Sequence, residues 1–231
     1  PQFGFTQTQR SFADGQDDVV HYTPSDVHIV KAVSPITATI GQQLYYTVTV
    51  PSPAITATMY TVLLTDVVDA RFAVNSASAH GGVGPAAAVN GQTVSASWTS
   101  ILSSTQGYVV ITATVRNLIT NTAGTVVPDT ARFTWQNEYG QTYGPRDSNT
   151  VDVTIVEPDI GILKSATAPL GLKPGDIVTY TLTFSNAAGV NNSVAYDVEL
   201  EDELPAGLTY GGVLPGTPAP ASVVGSGPTL I

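Results

Sequence analysis

The sequence predicts an all-β protein built from tandem antiparallel β-sandwiches, and three observations carry that expectation. Apolar and polar residues alternate at every second position over many short stretches. Turn residues divide those stretches, and no helical period replaces them. A block of sequence also recurs, with Lys164 standing 133 positions after Lys31 in matching surroundings.

Taken in order, the first strand is "DVHIVKAVSP", where Val27, Ile29 and Lys31 share one face. In the next, Leu44, Tyr46, Val48 and Val50 face one way while Tyr45, Thr47 and Thr49 face the other. Trp98 falls in phase with Val94 and Ala96, and Trp135 with Phe133, so both indoles are expected in the core. Val109, Ile111, Ala113 and Val115 repeat the pattern, as do Val151, Val153 and Ile155. Turns such as "NGQ", "AGT" and "YGPRDSN" separate these runs. Short strands with such turns indicate the immunoglobulin-like Greek-key sandwich. A period near 133 is long for that class, and the surplus is expected in a loop at "ASAHGGVGPAAAVNGQ".

The repeat sets the domain reading. "HIVKAVSPITATIGQQLYYTVTV" lies over "GILKSATAPLGLKPGDIVTYTLTF", matching Lys31 to Lys164, Gly41 to Gly175 and Tyr46 to Tyr180. Further on, "VLLTDVVDARFAV" matches "VELEDELPAGLTY" and pairs Asp66 with Asp202. "DDVVHYTPSDVHIVK" resembles "SNTVDVTIVEPDIGILK", the junction between copies. Residues 1–26 therefore read as the last strands of a preceding repeat or a linker, 27–157 as a complete repeat, and 158–231 as the first part of the next.

Composition narrows the function. Charged residues are 11% against 42% hydrophobic, and the net charge is −10, which argues against nucleic acid and anionic membranes as partners. With no cysteine there is neither disulfide nor thiolate chemistry, so an extracellular form needs another source of stability. No apolar run reaches the ~18 residues of a membrane span, and no signal peptide is visible from Pro1 onward, so a signal or anchor is expected either to have been cleaved or to lie outside this stretch.

The lysine is the anomaly. Only three occur, Lys31, Lys164 and Lys173, and two of them sit in equivalent apolar strands. An acid on the apolar face recurs too. Asp66 aligns with Val62, Leu64 and Val68, and Asp202 with Val198, Leu200 and Leu204. In "AGTVVPDTARFTW", Asp129 shares a face with Ala131, Phe133 and Trp135.

Residues 160–213, with the lysine strand, "PGDIVTYT" and "DELPAGLTY", resemble the repeat known as domain of unknown function 11, and 27–157 is a more divergent copy. That resemblance implies β-sandwich repeats of bacterial and archaeal surface proteins, with no reaction on an external substrate. More loosely, the chain is similar to fimbrial and collagen-adhesin B-type domains. Some of these join a first-strand lysine to a late-strand Asn or Asp by a spontaneous amide (isopeptide) bond, helped by a buried acid. Carried over by position, the resemblance implies Lys31 as amine, Asp129 as acceptor and Asp66 as assisting acid. Asn121, in "ITNTAG", is the alternative acceptor. Lys164 and Asp202 are the equivalents in the incomplete repeat, without a late-strand partner. A buried Lys–Asp ion pair, or a lysine reaching solvent at the sandwich edge, fits the same residues.

Three other signals are weaker. Asp14, Asp17 and Asp18 in "ADGQDDVV" could supply oxygen ligands to calcium, the single cofactor with any support, but their spacing does not fit an EF-hand loop and a solvated acidic turn fits better. Asn191 in "NNS" is a formal glycosylation acceptor. His21, His28 and His80 form no metal or nucleophile constellation and read as surface or edge residues. The function expected is a non-catalytic structural repeat of an extracellular stalk, filament or adhesin at the cell surface or secreted. Its partners are neighbouring repeats or other copies of the subunit. The alternatives are an adhesin module binding a glycan or host protein through loops at 75–92 and 137–150, and an ancillary module of a large secreted enzyme.

Overall fold

Period-two stretches pair into strands, and the partner strands bury one face of each. The computed structural model describes residues 27–212, residue 214 and the backbone of 229–230. All regular structure among these is β, in two units, and none of it is a helix long and apolar enough to cross a membrane. The first unit runs from residue 27 to Glu157 and takes in Ala188–Ser193; the second comprises Pro158–Ala187 and the described residues from Val194 onward. Asp14, Asp17, Asp18, His21 and the rest of 1–26 lie outside the described residues.

The first unit is an immunoglobulin-like sandwich. Its strands are β1 (Val30–Ser34), β2 (Thr37–Ala38), β3 (Gln43–Val50), β4 (Met59–Val67), β5 (Phe72–Gly81), β6 (Ala86–Asn90), β7 (Thr93–Ile101), β8 (Gly107–Val115), β9 (Val126–Asp129), β10 (Ala131–Gln136), β11 (Thr142–Asp147) and β12 (Val151–Ile155). They form sheets in the orders β1-β3-β8-β5, β11-β10-β4-β7-β6 and β2-β12-β9. The orders leave sequence order, so the chain crosses between sheets as a Greek key does. Leu44, Tyr46, Val48 and Val50 meet Val62, Leu64, Val94, Trp98, Phe133 and Trp135 in one continuous core. Both tryptophans are buried there, and Trp98 Nε1–H donates to the His80 carbonyl at 3.1 Å.

Two sheet changes bear on the site. The alternating run that puts Asp129 on one face with Ala131, Phe133 and Trp135 is split at Thr130, where the chain passes from the β9 sheet into the β10 sheet. The alternation continues through the break, with Asp129, Ala131, Phe133 and Trp135 all buried. Likewise β1 and β2 belong to different sheets although two residues separate them. Sandwich corners are made this way, by strands that leave one sheet for another.

The loop reading of 75–92 is overturned. That stretch carries most of β5 and all of β6, and 137–150 carries β11. Small residues there reflect crowding. A Cβ at Gly82, where φ is +56°, would come within 2.7 Å of Trp98 Cδ1 and 2.9 Å of the Ser100 oxygen.

The second unit contains β13 (Ile160–Thr167) and β14 (Thr179–Asn186), paired antiparallel along their length, and β15 (Asp202–Glu203) paired with β16 (Thr229–Leu230). The strand expected through Val198 and Leu200 is absent. Strand structure there is confined to 202–203, and Val198 is exposed. Alternating "VELEDEL" has the period of a strand, but the described residues offer no long partner that would hydrogen-bond it.

Candidate functional site

Lys31 enters the core because β1 keeps the phase of Val27 and Ile29, which are buried, while His28 and Val30 are exposed. β1 pairs with β3, setting Lys31 opposite Val48 and Val33 opposite Tyr46. β4 brings Asp66, whose register partners are Ala131 on β10 and Val94 on β7. Asp129 is the last residue of β9, beside the sheet change, and its register partner is Val151 on β12.

The structure brings these three side chains together. Lys31 Nζ lies 2.5 Å from Asp66 Oδ2 and 2.7 Å from Asp129 Oδ2, with side-chain exposures of 0%, 0% and 2%. The ammonium group donates a hydrogen bond to Asp66. Asp129 Oδ2 stands at ion-pair distance without hydrogen-bond alignment and has no hydrogen-bond partner. One cation between two carboxylates would leave an uncompensated buried negative charge, which a retained proton relieves. Accordingly, burial pushes the Asp66 carboxyl up to about 6; Lys31 opposes the rise and the Asp129 carboxyl adds to it.

Tyr46 forms one wall of the site. Lys31 Nζ lies 4.5 Å from its ring centroid, a cation–π distance, and the ring meets Phe72 edge-on at 6.4 Å. Its hydroxyl is buried without a hydrogen-bond partner, and burial, with the Asp129, Asp66 and Asp69 carboxyl groups, pushes the phenol far up. The repeat matches Tyr46 to Tyr180, although nothing else in the sequence assigns either to the site. That match was the signal. A second missed residue is Asn149, whose Oδ1 accepts from the Lys31 backbone N–H and whose Nδ2 donates to the Lys31 carbonyl, both at 2.9 Å. A side chain that pairs with backbone leaves no periodic trace, so nothing in the sequence marked it.

The alternative acceptor Asn121 is buried elsewhere. Its Nδ2 donates to the Arg71 carbonyl at 3.1 Å and the Arg116 carbonyl at 2.8 Å. In the second unit, Lys164 donates to Asp202 and lies 4.5 Å from the Tyr180 ring centroid. Among the described residues Asp202 is its one ion-pair partner. Asn191 is half-buried, close enough to Gly124 that a Cβ there would come within 2.7 Å of its Nδ2. His80 is exposed and stacks on Tyr108 at 4.9 Å. Among the described residues no group of three His, Cys, Asp or Glu could hold a metal ion.

No family model matches the chain, and no curated protein matches it either. The resemblance to domain of unknown function 11 therefore rests on the residues quoted above. Solved structures similar to it include a crystallised variant of the major pilin subunit of Bacillus cereus, at 14% identity and TM-score 0.48, covering 70% of this chain and 56% of that one. Two domains of the major pilin of Corynebacterium diphtheriae align at 13% identity and TM-score 0.44, covering 64% and 58%. The collagen-binding domain of a Staphylococcus aureus adhesin aligns at 8% identity and TM-score 0.39, covering 56% and 99%. The aligned part of this chain spans a little over half the length of the first of these structures.

Proposed function

We propose that this chain is a non-catalytic structural repeat of an extracellular stalk, filament or adhesin. On this reading its first unit closes covalently on itself through an amide bond between Lys31 Nζ and Asp129 Cγ. Residues 27–157 are then one repeat, 158 onward the start of the next, and the partners are neighbouring repeats or other copies of the subunit. The observation that carries the reading is one amine held dry between two carboxyl groups, 2.5 and 2.7 Å away.

The chemistry balances without a cofactor. Lys31 gives a proton to the Asp66 carboxylate and becomes a nucleophilic amine. Its nitrogen attacks Cγ of the Asp129 carboxyl group, and Asp66 passes the proton on to the departing oxygen. The C–N bond forms, one C–O bond breaks, the nitrogen's extra proton follows the first through Asp66 to the same oxygen, and one water leaves. A group titrating near 6 both accepts and returns a proton at neutral pH. Fixed proximity replaces an external activating agent, since effective molarities of aligned groups reach about 10⁵ to 10⁸ M.

The product would supply what the absent cysteines cannot. It ties positions 31 and 129, closing a loop of 98 residues. If the chain-entropy estimate for disulfides transfers, that is about 4 to 5 kcal/mol. Intact-mass spectrometry tests it. The wild-type chain should be lighter than its sequence by one water, with full mass restored in Lys31→Ala and Asp129→Ala. Full mass in the wild type overturns the bond and leaves a buried ion cluster.

A further inference from the structure

We infer that Ser148–Val151 is a bracket that sets the two reacting residues against each other, and that Asn149 is its positioning residue for Lys31. The inference rests on the amide-forming reading above and adds a part that neither the repeat nor the resemblance assigns.

The segment grips the acceptor side at three successive places. Val151 is the register partner of Asp129 itself. The Thr150 and Thr130 hydroxyls are hydrogen-bonded at 3.2 Å. Ser148 pairs with Ala131 twice, its Oγ accepting from the Ala131 N–H at 3.0 Å and its own N–H donating to the Ala131 carbonyl at 2.8 Å. Thus 129, 130 and 131, which span the sheet change, are each tied to this one short stretch. Asn149 turns the other way. Its carboxamide meets the outer edge of β1 and pairs with both backbone groups of Lys31, doing with one side chain what a neighbouring strand does with two peptide groups.

The consequence is geometric. β1 pairs with β3 and β9 pairs with β12, so the amine-bearing strand and the acceptor-bearing strand belong to different sheets. No backbone ladder joins β1 itself to β9; the one that reaches both sides, β2-β12-β9, begins at Thr37, beyond the end of β1. The bracket supplies that missing constraint across 118 positions of sequence. Asn149 touches neither Nζ nor the reacting carboxyl group, so it acts through the backbone position of Lys31. Since displacement of about 1 Å can slow an aligned reaction by about 10²-fold, loss of this clasp should slow bond formation more than it lowers stability.

The test follows water loss against time, by intact-mass spectrometry of the full chain freshly made by cell-free translation. Asn149→Ala should slow the loss about 10- to 100-fold without changing its final extent. Asn149→Asp keeps the acceptor for the Lys31 N–H and gives up the donor, so it should fall between Asn149→Ala and wild type. Ile101→Val, which loosens the core at the far end of β7, controls for stability, with melting of each variant measured in an Asp129→Ala background where no bond forms. An Asn149→Ala rate equal to wild type overturns the inference, as does an equal slowing in Ile101→Val. Wild-type chain that never loses water overturns this inference and the bond together, whereas unchanged rates with normal water loss overturn this inference alone.

Discussion

The Lys31 and Lys164 sites are built from the same parts and differ in what surrounds them. Each has a strand lysine, an acid 35 or 38 positions later, and a tyrosine ring 4.5 Å from the amine. Lys31 and Asp66 are fully shielded, whereas the Lys164 and Asp202 side chains are 35% and 10% exposed. The second carboxyl group stands only at Lys31, among the described residues. The amine, the ring and the first acid therefore come from about 40 residues of local sequence. Dryness and the second carboxyl group come from β7 to β12, which arrive 60 to 120 positions later. In water the pair is an ordinary ion pair of low worth, and it becomes chemically tense only when the late strands exclude solvent.

The largest test of that contrast removes the lysines in turn. Lys31→Ala should cost about 4 to 5 kcal/mol in denaturant unfolding through loss of the cross-link alone, with the mass deficit gone. Asp66→Asn should abolish or greatly slow water loss while Lys31 and Asp129 remain, because the proton carrier is missing; unchanged mass loss would remove Asp66 from the chemistry. A pH series sharpens the burial difference. In the bond-free Lys31→Arg chain, the raised Asp66 carboxyl favours folding most fully below about pH 4. That contribution fades as pH rises through about 6. Denaturant midpoints should therefore drop across that window, relative to Lys31→Arg with Asp66→Asn. Tyr46→Phe keeps the ring and deletes an unpaired buried hydroxyl, so stability should hold or rise by up to about 1 kcal/mol. The smallest effect belongs to Lys164→Ala, at most about 1 kcal/mol by the same unfolding measurement and with no change in mass beyond the substitution.

How far the sequence foretold these parts follows from what period two can encode. The inward phase of Val27, Ile29 and Lys31, and the core positions of Trp98 and Trp135, are local alternation, and the burial pattern has the same phase. The sheet change at Thr130 left no mark, because alternation runs through it unbroken. The 75–92 stretch misleads because its Gly and Ala residues resemble a loop, while the structure uses the smallness of Gly81, Gly82 and Gly84 to pass the turn between β5 and β6 close to Gln106, Trp98 and Thr99. The reverse holds at 198–204, where alternation promises a full strand and only 202–203 forms one. Asn149 was invisible for a different reason, since its partner is backbone and lies 118 positions away.

One pairing in the first unit carries a consequence for load. β2 and β12 run parallel, with Thr37 opposite Thr154 and Ala38 opposite Ile155. Pulling the residues before β1 and after β12 in opposite directions drags these two neighbours lengthwise past each other, so their hydrogen bonds share the force instead of peeling one at a time. Lys31 stands on the pulled side of β2, and Asp129 on β9, the other neighbour of β12. A pull along the chain would therefore load the strands that carry both residues before it reached the far strands of the sandwich.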